Sequence, residues 1–217
     1  LFGHNPKFVH VLNGGLKKWI NENKEVTNDV TTIKKSNYKS FEKKELVKNK
    51  ELIDQNINEK NFKVIDARSN ERFEGKVPEP RKGLRSGSIK NSFCIPFNLC
   101  LKEDKTFKNK KELELIFETC LKNVNEKNIV FSCGSGVTAC VLALAYSLIN
   151  DKYHPCIYDG SWAESNNLNK DEEIYKNYFN NTDIFFNHSD RIIGRTMVGN
   201  HFKKKFSKRP PPGIIVT

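Results

Sequence analysis

The sequence predicts an α/β fold, a doubly wound parallel sheet with helices on both faces. Three observations predict it. Short apolar runs alternate with longer segments of helical period. The apolar runs lack the polar–apolar alternation of a half-exposed strand, as expected for strands covered on both faces. Residues able to do chemistry follow these runs directly, at the carboxyl ends of the strands, where such sheets bind ligands: Arg68 and Arg72, then Cys133, then Asp159.

The elements follow in order. "KFVHVLNGGLKKWINEN" reads as a strand over 8–12, a glycine turn at Gly14 and Gly15, and a short helix with Leu16, Trp19 and Ile20 on one face. Residues 24–37 are polar and aperiodic, as in a linker. Residues 40–59 carry a helical pattern, with Phe41, Leu46, Leu52 and Ile53 as its apolar positions. "FKVID" (62–66) is a buried strand and "NERFEG" (70–75) suits a short helix. The Pro/Gly-rich "VPEPRKGLRSGS" (77–88) is a loop, and "FCIPF" (93–97) is a short strand broken by Pro96. An amphipathic helix is expected over 109–122, then a strand over 128–132, a helix over 137–149, a strand over 155–159 and a weak helix over 161–167. After about residue 170 the chain becomes Asn-rich and basic, ending near "FKKKFSKRPPP". A solvated, partly disordered extension is expected there rather than a docking patch for anionic surfaces.

Composition narrows the function. The chain has 217 residues, 37% of them hydrophobic, and a formal net charge of +11. A basic balance suits anionic partners in general. Here, however, lysines alternate with Asn and Glu throughout, as on solvated faces, so neither nucleic acid nor a membrane is expected as a partner. The six cysteines (94, 100, 120, 133, 140 and 156) make no CxxC pair. They read as reduced, mostly buried thiols, and no metal site or cofactor is expected. A cytoplasmic location is expected, with mitochondria as the alternative. The chain does not begin with Met and opens within an expected element, so a fragment of something longer is expected.

The most informative stretch is "VFSCGSGVTACVLALA", where a strand stops and a helix starts around Cys133. A thiol is a weak nucleophile while protonated, and a helix N-terminus stabilises the anion. Gly134 and Gly136 allow the chain to curl so that consecutive N–H groups converge on one anion. Ser135 and Thr138 add hydroxyls, and Thr138 suits a first helical turn. A buried strand-end cysteine is the plain alternative, but it needs neither two glycines nor two hydroxyls around it. The GxxxxGK[ST] phosphate loop is absent. A cysteine phosphatase of CxxxxxR type would need an arginine where Ala139 stands, and no cation occurs from Cys133 to Ile149. The six neutral residues from Cys133 to Thr138 fit a small, singly charged species at sulfur, such as a terminal persulfide.

CGSGVTAC closely resembles the active-site loop of the 3-mercaptopyruvate sulfurtransferases of the rhodanese superfamily. "VIDARSNERFEGKVPEPRKG", "SGSIKNSFCIPF" and "IYDGSWAE" are similar to successive landmarks of the catalytic, C-terminal rhodanese domain. "FGHNPKFVHVLNGGLKKW" resembles the end of the preceding, non-catalytic domain. The resemblance implies a rhodanese-like sheet and four regions: 1–23 as a remnant of a first rhodanese domain, 24–39 as linker, 40–169 as catalytic domain and 170–217 as extension. It also implies a persulfide on Cys133. Sulfane sulfur would come from 3-mercaptopyruvate, releasing pyruvate, and pass to a thiol such as thioredoxin or to cyanide. Arg72 and Arg81 match the family's substrate-binding arginines. From the residues alone each reads equally well as a surface cation, although a guanidinium fork does suit an α-keto acid. Ser135 matches the serine that helps deliver a proton to the departing enolate, and Gly134, Gly136, Val137 and Thr138 complete the implied substrate site. The thiosulfate-specific relatives carry Arg and Lys where Gly134 and Ser135 stand, so mercaptopyruvate is the expected donor. Thiosulfate transfer, or a sulfur-relay module without small-molecule turnover, are the alternatives. Departures from the family are Ser88 where it has His, Ser165 where it has a second Trp, and the near absence of the first domain, which supplies a His and an Asp behind the serine. His4 and His10 read as ordinary strand-flanking residues rather than as replacements.

Overall fold

Two strand segments, Lys63–Asp66 and Ile129–Ser132, lie parallel and in register at the centre of the sheet, and their side chains divide the core in two. Ile65, Ile129 and Phe131 face one way; Val64 and Val130 face the other. The computed structural model describes residues 1–165, apart from 31, 33–36, 123, 126 and 127, together with 214–216.

In chain order the strands are β1 (His10–Leu12), β2 (Val47–Lys48), β3 (Lys63–Asp66), β4 (Phe93–Cys94), β5 (Ile129–Ser132), β6 (Ile157–Tyr158) and β7 (Ile214–Val216). The helices are α1 (Gly15–Asn21), α2 (Lys50–Glu59), α3 (Asn70–Phe73), α4 (Lys110–Leu121), α5 (Val137–Ser147) and α6 (Ser161–Ser165). The main sheet has five strands in the order β2-β6-β5-β3-β4, and each neighbouring pair is parallel.

On one face α4 and α5 bring Leu113, Phe117, Leu121, Ala139, Leu142 and Tyr146 against Ile65 and Phe131. Phe117, Phe131, Tyr146 and Tyr153 meet there, mostly edge-to-face, with ring centroids 4.9–6.2 Å apart. On the other face α2 and α6 bring Ile53 and Trp162 against Val64, Val130 and Tyr158. The expected sheet with helices on both faces is therefore present. Continuous burial of β5 on both sides explains why its sequence lacks alternation.

Caps fix where the helices begin. In α4 the Asn109 side chain accepts from the Glu112 amide while the Glu112 carboxylate accepts from the Asn109 amide, a reciprocal capping box. In α2 the Asn49 side chain accepts from the Leu52 amide at 3.1 Å.

Several local expectations are corrected. The segment 40–59 is not one helix: a 3-10 turn at Lys44–Leu46 and edge strand β2 precede α2. Pairing of Val47 and Lys48 with Ile157 and Tyr158 overrides the helical pattern, and Asn49 then restarts the chain as a helix. Phe41 and Leu52, apolar positions of the expected helix, are exposed, whereas Ile53 is buried. The strand expected over 8–12 begins at His10, after a 3-10 turn at Pro6–Phe8. Within the expected extension 170–217, Ile214–Val216 forms a strand parallel to β1; the rest of that expectation lies outside the described residues, as does α6 beyond Ser165. The amino-terminal segment contacts the body of the fold. The Phe107 amide donates to the Asn13 side chain at 2.9 Å, and Lys18 pairs with Asp104 at 3.3 Å. No described helix is long and apolar enough to cross a membrane, and no cluster of three or more potential metal ligands occurs among the described residues.

Candidate active site

Strand β5 ends at Ser132, and the chain turns through Cys133, Gly134, Ser135 and Gly136 before α5 begins at Val137. The turn requires a left-handed residue at its last position. Gly136 provides it, with φ +83°. It also allows a close approach, because a Cβ at Gly136 would lie 2.7 Å from Asp159 Oδ1 and 2.9 Å from the Asp159 carbonyl oxygen. Only glycine suits both demands.

The expected convergence of amides on sulfur is realised in part. The Ser135 amide donates to Cys133 Sγ at 3.4 Å. The Gly136 amide instead donates to Ser161 Oγ at 3.0 Å, and so does the Cys133 amide, also at 3.0 Å. Ser161 Oγ in turn donates to the Tyr158 carbonyl at 2.8 Å. One fully buried hydroxyl at the start of α6 thus ties both ends of the Cys133–Gly136 turn to the end of β6. Two backbone bonds add to the tie, from the Trp162 amide to the Cys133 carbonyl (2.9 Å) and from the Ala163 amide to the Gly134 carbonyl (3.1 Å). In the sequence Ser161 reads only as the start of a weak helix. The available signal was Gly160-Ser161 following a strand end, which places a short hydroxyl at a turn.

The arginines after β3 sit opposite. Arg68 is buried, with side-chain exposure of 1%. Its Nε and Nη2 grip Asp66 at 2.7–3.1 Å, its Nη1 donates to Glu79 Oε1 at 2.8 Å and its Nη2 also reaches the Gly87 carbonyl at 2.9 Å. Burial disfavours its charge, but the Asp66 hydrogen bonds and charge, with Glu79, outweigh this and hold the guanidinium above its ordinary range. Arg72, on α3, is 28% exposed and donates to Glu79 through Nε (3.2 Å) and Nη2 (2.6 Å). Burial opposes the Glu79 charge, yet Arg72 and then Arg68 outweigh it and hold the carboxyl below its usual range. Arg72 Nη2 also lies against the cysteine loop: a Cβ on Gly134 would be 3.1 Å from it.

Trp162 links these layers. The guanidinium carbons of Arg68 and Arg85 lie 4.9 and 4.3 Å from the centroid of its ring, and its Nε1 donates to the Arg85 carbonyl at 3.0 Å. The 77–88 loop is thereby docked on the helix that braces the cysteine turn.

Between the two halves lies a cavity of about 220 Å³ lined by Arg72, Glu79, Pro80, Arg81, Leu84, Cys133, Gly134, Ser135, Val137 and Thr138. Cys133 is among the lining residues and is only 2% exposed, packed also against the apolar core behind β5. Of the residues singled out in the sequence, Cys133, Ser135, Arg72, Arg81, Gly134, Val137 and Thr138 meet here. Gly136 lies behind the loop, against Asp159, and Arg68 is a buried tie below the wall. Asp159 is not part of the lining. Burial, with the Glu164 charge, pushes its carboxyl up to about 7, and its Oδ1 has no hydrogen-bond partner among the described residues. Glu79, which joins Arg68 to Arg72, was passed over in the sequence because one carboxylate in "VPEPR" gives no spacing signal.

All six cysteines are free thiols. Burial pushes the Cys94, Cys100 and Cys140 thiols up to about 12, and Cys156 is also raised by burial. Cys133 alone among the six lines the cavity.

Comparison with known proteins places this geometry. A Rhodanese-like domain matches residues 49–168. The chain is similar to thiosulfate sulfurtransferase of Rattus norvegicus, with 36% identity over 165 residues, covering 76% of this chain and 54% of that protein. It is similar to 3-mercaptopyruvate sulfurtransferase of Homo sapiens at 35% over 164 residues, covering 75% and 54%. Among solved structures, Tum1 protein from Saccharomyces cerevisiae matches with a TM-score of 0.51 and 30% identity, covering 58% of this chain and 44% of that one. The chain spans about half the length of these sulfurtransferase relatives. With its parallel sheet, its cysteine turn ahead of α5 and this match over more than half its length, the chain belongs to the rhodanese family.

Proposed function

We propose that this chain is a sulfurtransferase that takes sulfane sulfur from 3-mercaptopyruvate onto Cys133 and passes it to a thiol acceptor. The observation that carries the reading is one cavity lined by Cys133, Ser135, Arg72 and Arg81, with the Ser135 amide donating to Cys133 Sγ. Cys133, as thiolate, attacks the donor's sulfur. An S–S bond forms, the donor's C–S bond breaks, and its electron pair leaves on carbon as the enolate of pyruvate. That enolate takes up one proton, conveyed by the Ser135 hydroxyl. An acceptor thiolate then attacks the outer sulfur, takes it and releases Cys133 as thiolate. The Ser135 amide and the N-terminus of α5 stabilise negative charge at sulfur in each half-reaction. Arg72 and Arg81 hold the carboxylate and keto oxygen. A dithiol protein of thioredoxin type suits the acceptor role.

The neutral Gly134-Ser135 pair supports mercaptopyruvate over thiosulfate, since a dianion loses more than a monoanion where no loop cation meets it. Relatives of both names are similarly close, so the two donors are the natural paired assay. Pyruvate release from mercaptopyruvate is expected to exceed sulfite release from thiosulfate in kcat/KM; the reverse order overturns the donor assignment. Arg72→Ala is expected to lower kcat/KM for mercaptopyruvate about 10–100-fold, the effect of losing charged hydrogen bonds to an anion. Unchanged kinetics would remove Arg72 from the binding role.

A further inference from the structure

The cavity wall carries a carboxylate where an anion must bind. Glu79 lies in the lining, its side chain 2% exposed, and takes both the Nε and an Nη2 hydrogen of Arg72. Only the remaining Nη hydrogens of Arg72 stay available to an anion. Asp66, Arg68, Glu79 and Arg72 form one connected set whose charges sum to zero. The arginine that touches the cysteine loop thus arrives already neutralised.

We propose that Glu79 sets the valence of the anion this cavity accepts, cancelling one guanidinium charge at the wall and so favouring singly over doubly charged donors. The proposal deepens the sulfurtransferase reading, on which it rests for the identity of the donors. Its physical basis is separate from the chemistry at sulfur. A unit charge added to the wall changes the binding free energy of a ligand in proportion to the ligand's own charge. Whatever factor a monoanion gains from removal of the Glu79 charge, a dianion gains as the square. The neutral Gly134-Ser135 pair withholds cations from one side of the cavity; Glu79 offsets a cation on the other.

Glu79→Gln tests this, because the amide keeps the shape and can still accept from Arg72. Arg68 retains its grip on Asp66, so the fold has a reason to survive. The readout needs no sulfur transfer. The rate at which neutral iodoacetamide alkylates Cys133 is measured against increasing pyruvate, a monoanion, or inorganic sulfate, a dianion, at constant ionic strength. In the wild type, pyruvate is expected to protect Cys133 at lower concentration than sulfate. In Glu79→Gln, pyruvate is expected to bind about threefold more tightly and sulfate about tenfold more tightly, near the square of the first factor. Glu79→Asp keeps the charge with a shorter reach and is expected to preserve the wild-type ratio of the two affinities. Glu79→Ser removes the same charge while leaving room for water beside the guanidinium groups, and stands in if the glutamine variant does not fold. An equal change for both anions, no gain for either, or a Glu79→Asp variant that behaves like Glu79→Gln overturns the proposal. So does absence of protection by either anion in the wild type. Loss of the sulfurtransferase reading registers separately, as failure of mercaptopyruvate to load sulfur on a Cys133 that these anions still protect.

Discussion

Arg68→Ala is expected to lose about 3–5 kcal/mol of folding stability, the largest single loss at this site. Arg68 lies between two buried carboxylates, and its guanidinium meets Asp66, Glu79 and the Gly87 carbonyl together. Among the described residues, removing it leaves Asp66 with no cation and Glu79 with Arg72 alone, in an environment where charge separation is costly. The indole of Trp162 loses one of the two guanidinium groups packed against it. Urea unfolding followed by Trp fluorescence measures the loss. Arg68→Lys is expected to recover little, because a single ammonium cannot span both carboxylates and the carbonyl with the planar geometry of a guanidinium. A loss below about 1 kcal/mol in Arg68→Ala would mean that the charge set does not hold the β3 end in place.

Ser161→Ala is expected to lose about 2–4 kcal/mol, because two buried amides lose their shared acceptor. Those amides belong to Cys133 and Gly136, the two ends of the turn, so the effect extends beyond stability. Loosening the turn is expected to speed alkylation of Cys133 and to slow sulfur transfer at the same time. The opposed directions distinguish loss of preorganisation from loss of the nucleophile. Ser161 also has φ +53°, a left-handed conformation that disfavours side chains. Ser161→Gly therefore loses the same hydroxyl but gains backbone freedom suited to that conformation, and is expected to be about 1 kcal/mol more stable than Ser161→Ala. Thermal unfolding of the pair reads this difference as a shift of about 2–4 °C. Equal melting of Ala and Gly variants would argue that the left-handed geometry carries no strain.

Much of the fold was legible because its centre is simple. β5 is an apolar run closed by Ser132, β3 sets Val64 and Ile65 between Lys63 and Asp66, and the helix after Cys133 is apolar without a polar face. Such patterns leave few alternatives to a covered parallel sheet. The edges were less legible. Leu46-Val47-Lys48 carries too little pattern to declare a strand, and it becomes one only because Ile157 and Tyr158 lie beside it. Phe41 and Leu52 fit a helical stripe in the sequence but end exposed, since a stripe has meaning only where a continuous helix exists.

At the site, the cysteine turn was readable from its glycines, and seven of the residues singled out line one cavity. Ser161 and Glu79 were not readable. Each acts by tying other segments together: Ser161 joins 133–136 to 158, and Glu79, in the loop after α3, joins 68 to 72. A polar residue whose role is to be a shared partner has no period or spacing to betray it. Gly136 illustrates the converse. Its presence in the loop was visible, but its reason, an approach of 2.7 Å to Asp159, depends on a strand that ends 22 residues later.

The central claim is that sulfur resides on one thiol of six. The direct measurement is peptide-resolved mass after a brief exposure to mercaptopyruvate. The Cys133 peptide is expected to gain the mass of one sulfur atom, lose it on treatment with cyanide, and gain nothing in Cys133→Ser. The peptide holding Cys94 and Cys100 is expected to stay unchanged, and fragment ions of the peptide shared by Cys133 and Cys140 are expected to place the added sulfur on Cys133, since burial keeps the Cys94, Cys100 and Cys140 thiols protonated. Sulfur found on any of those three, or an unmodified Cys133 while pyruvate accumulates, would contradict the account.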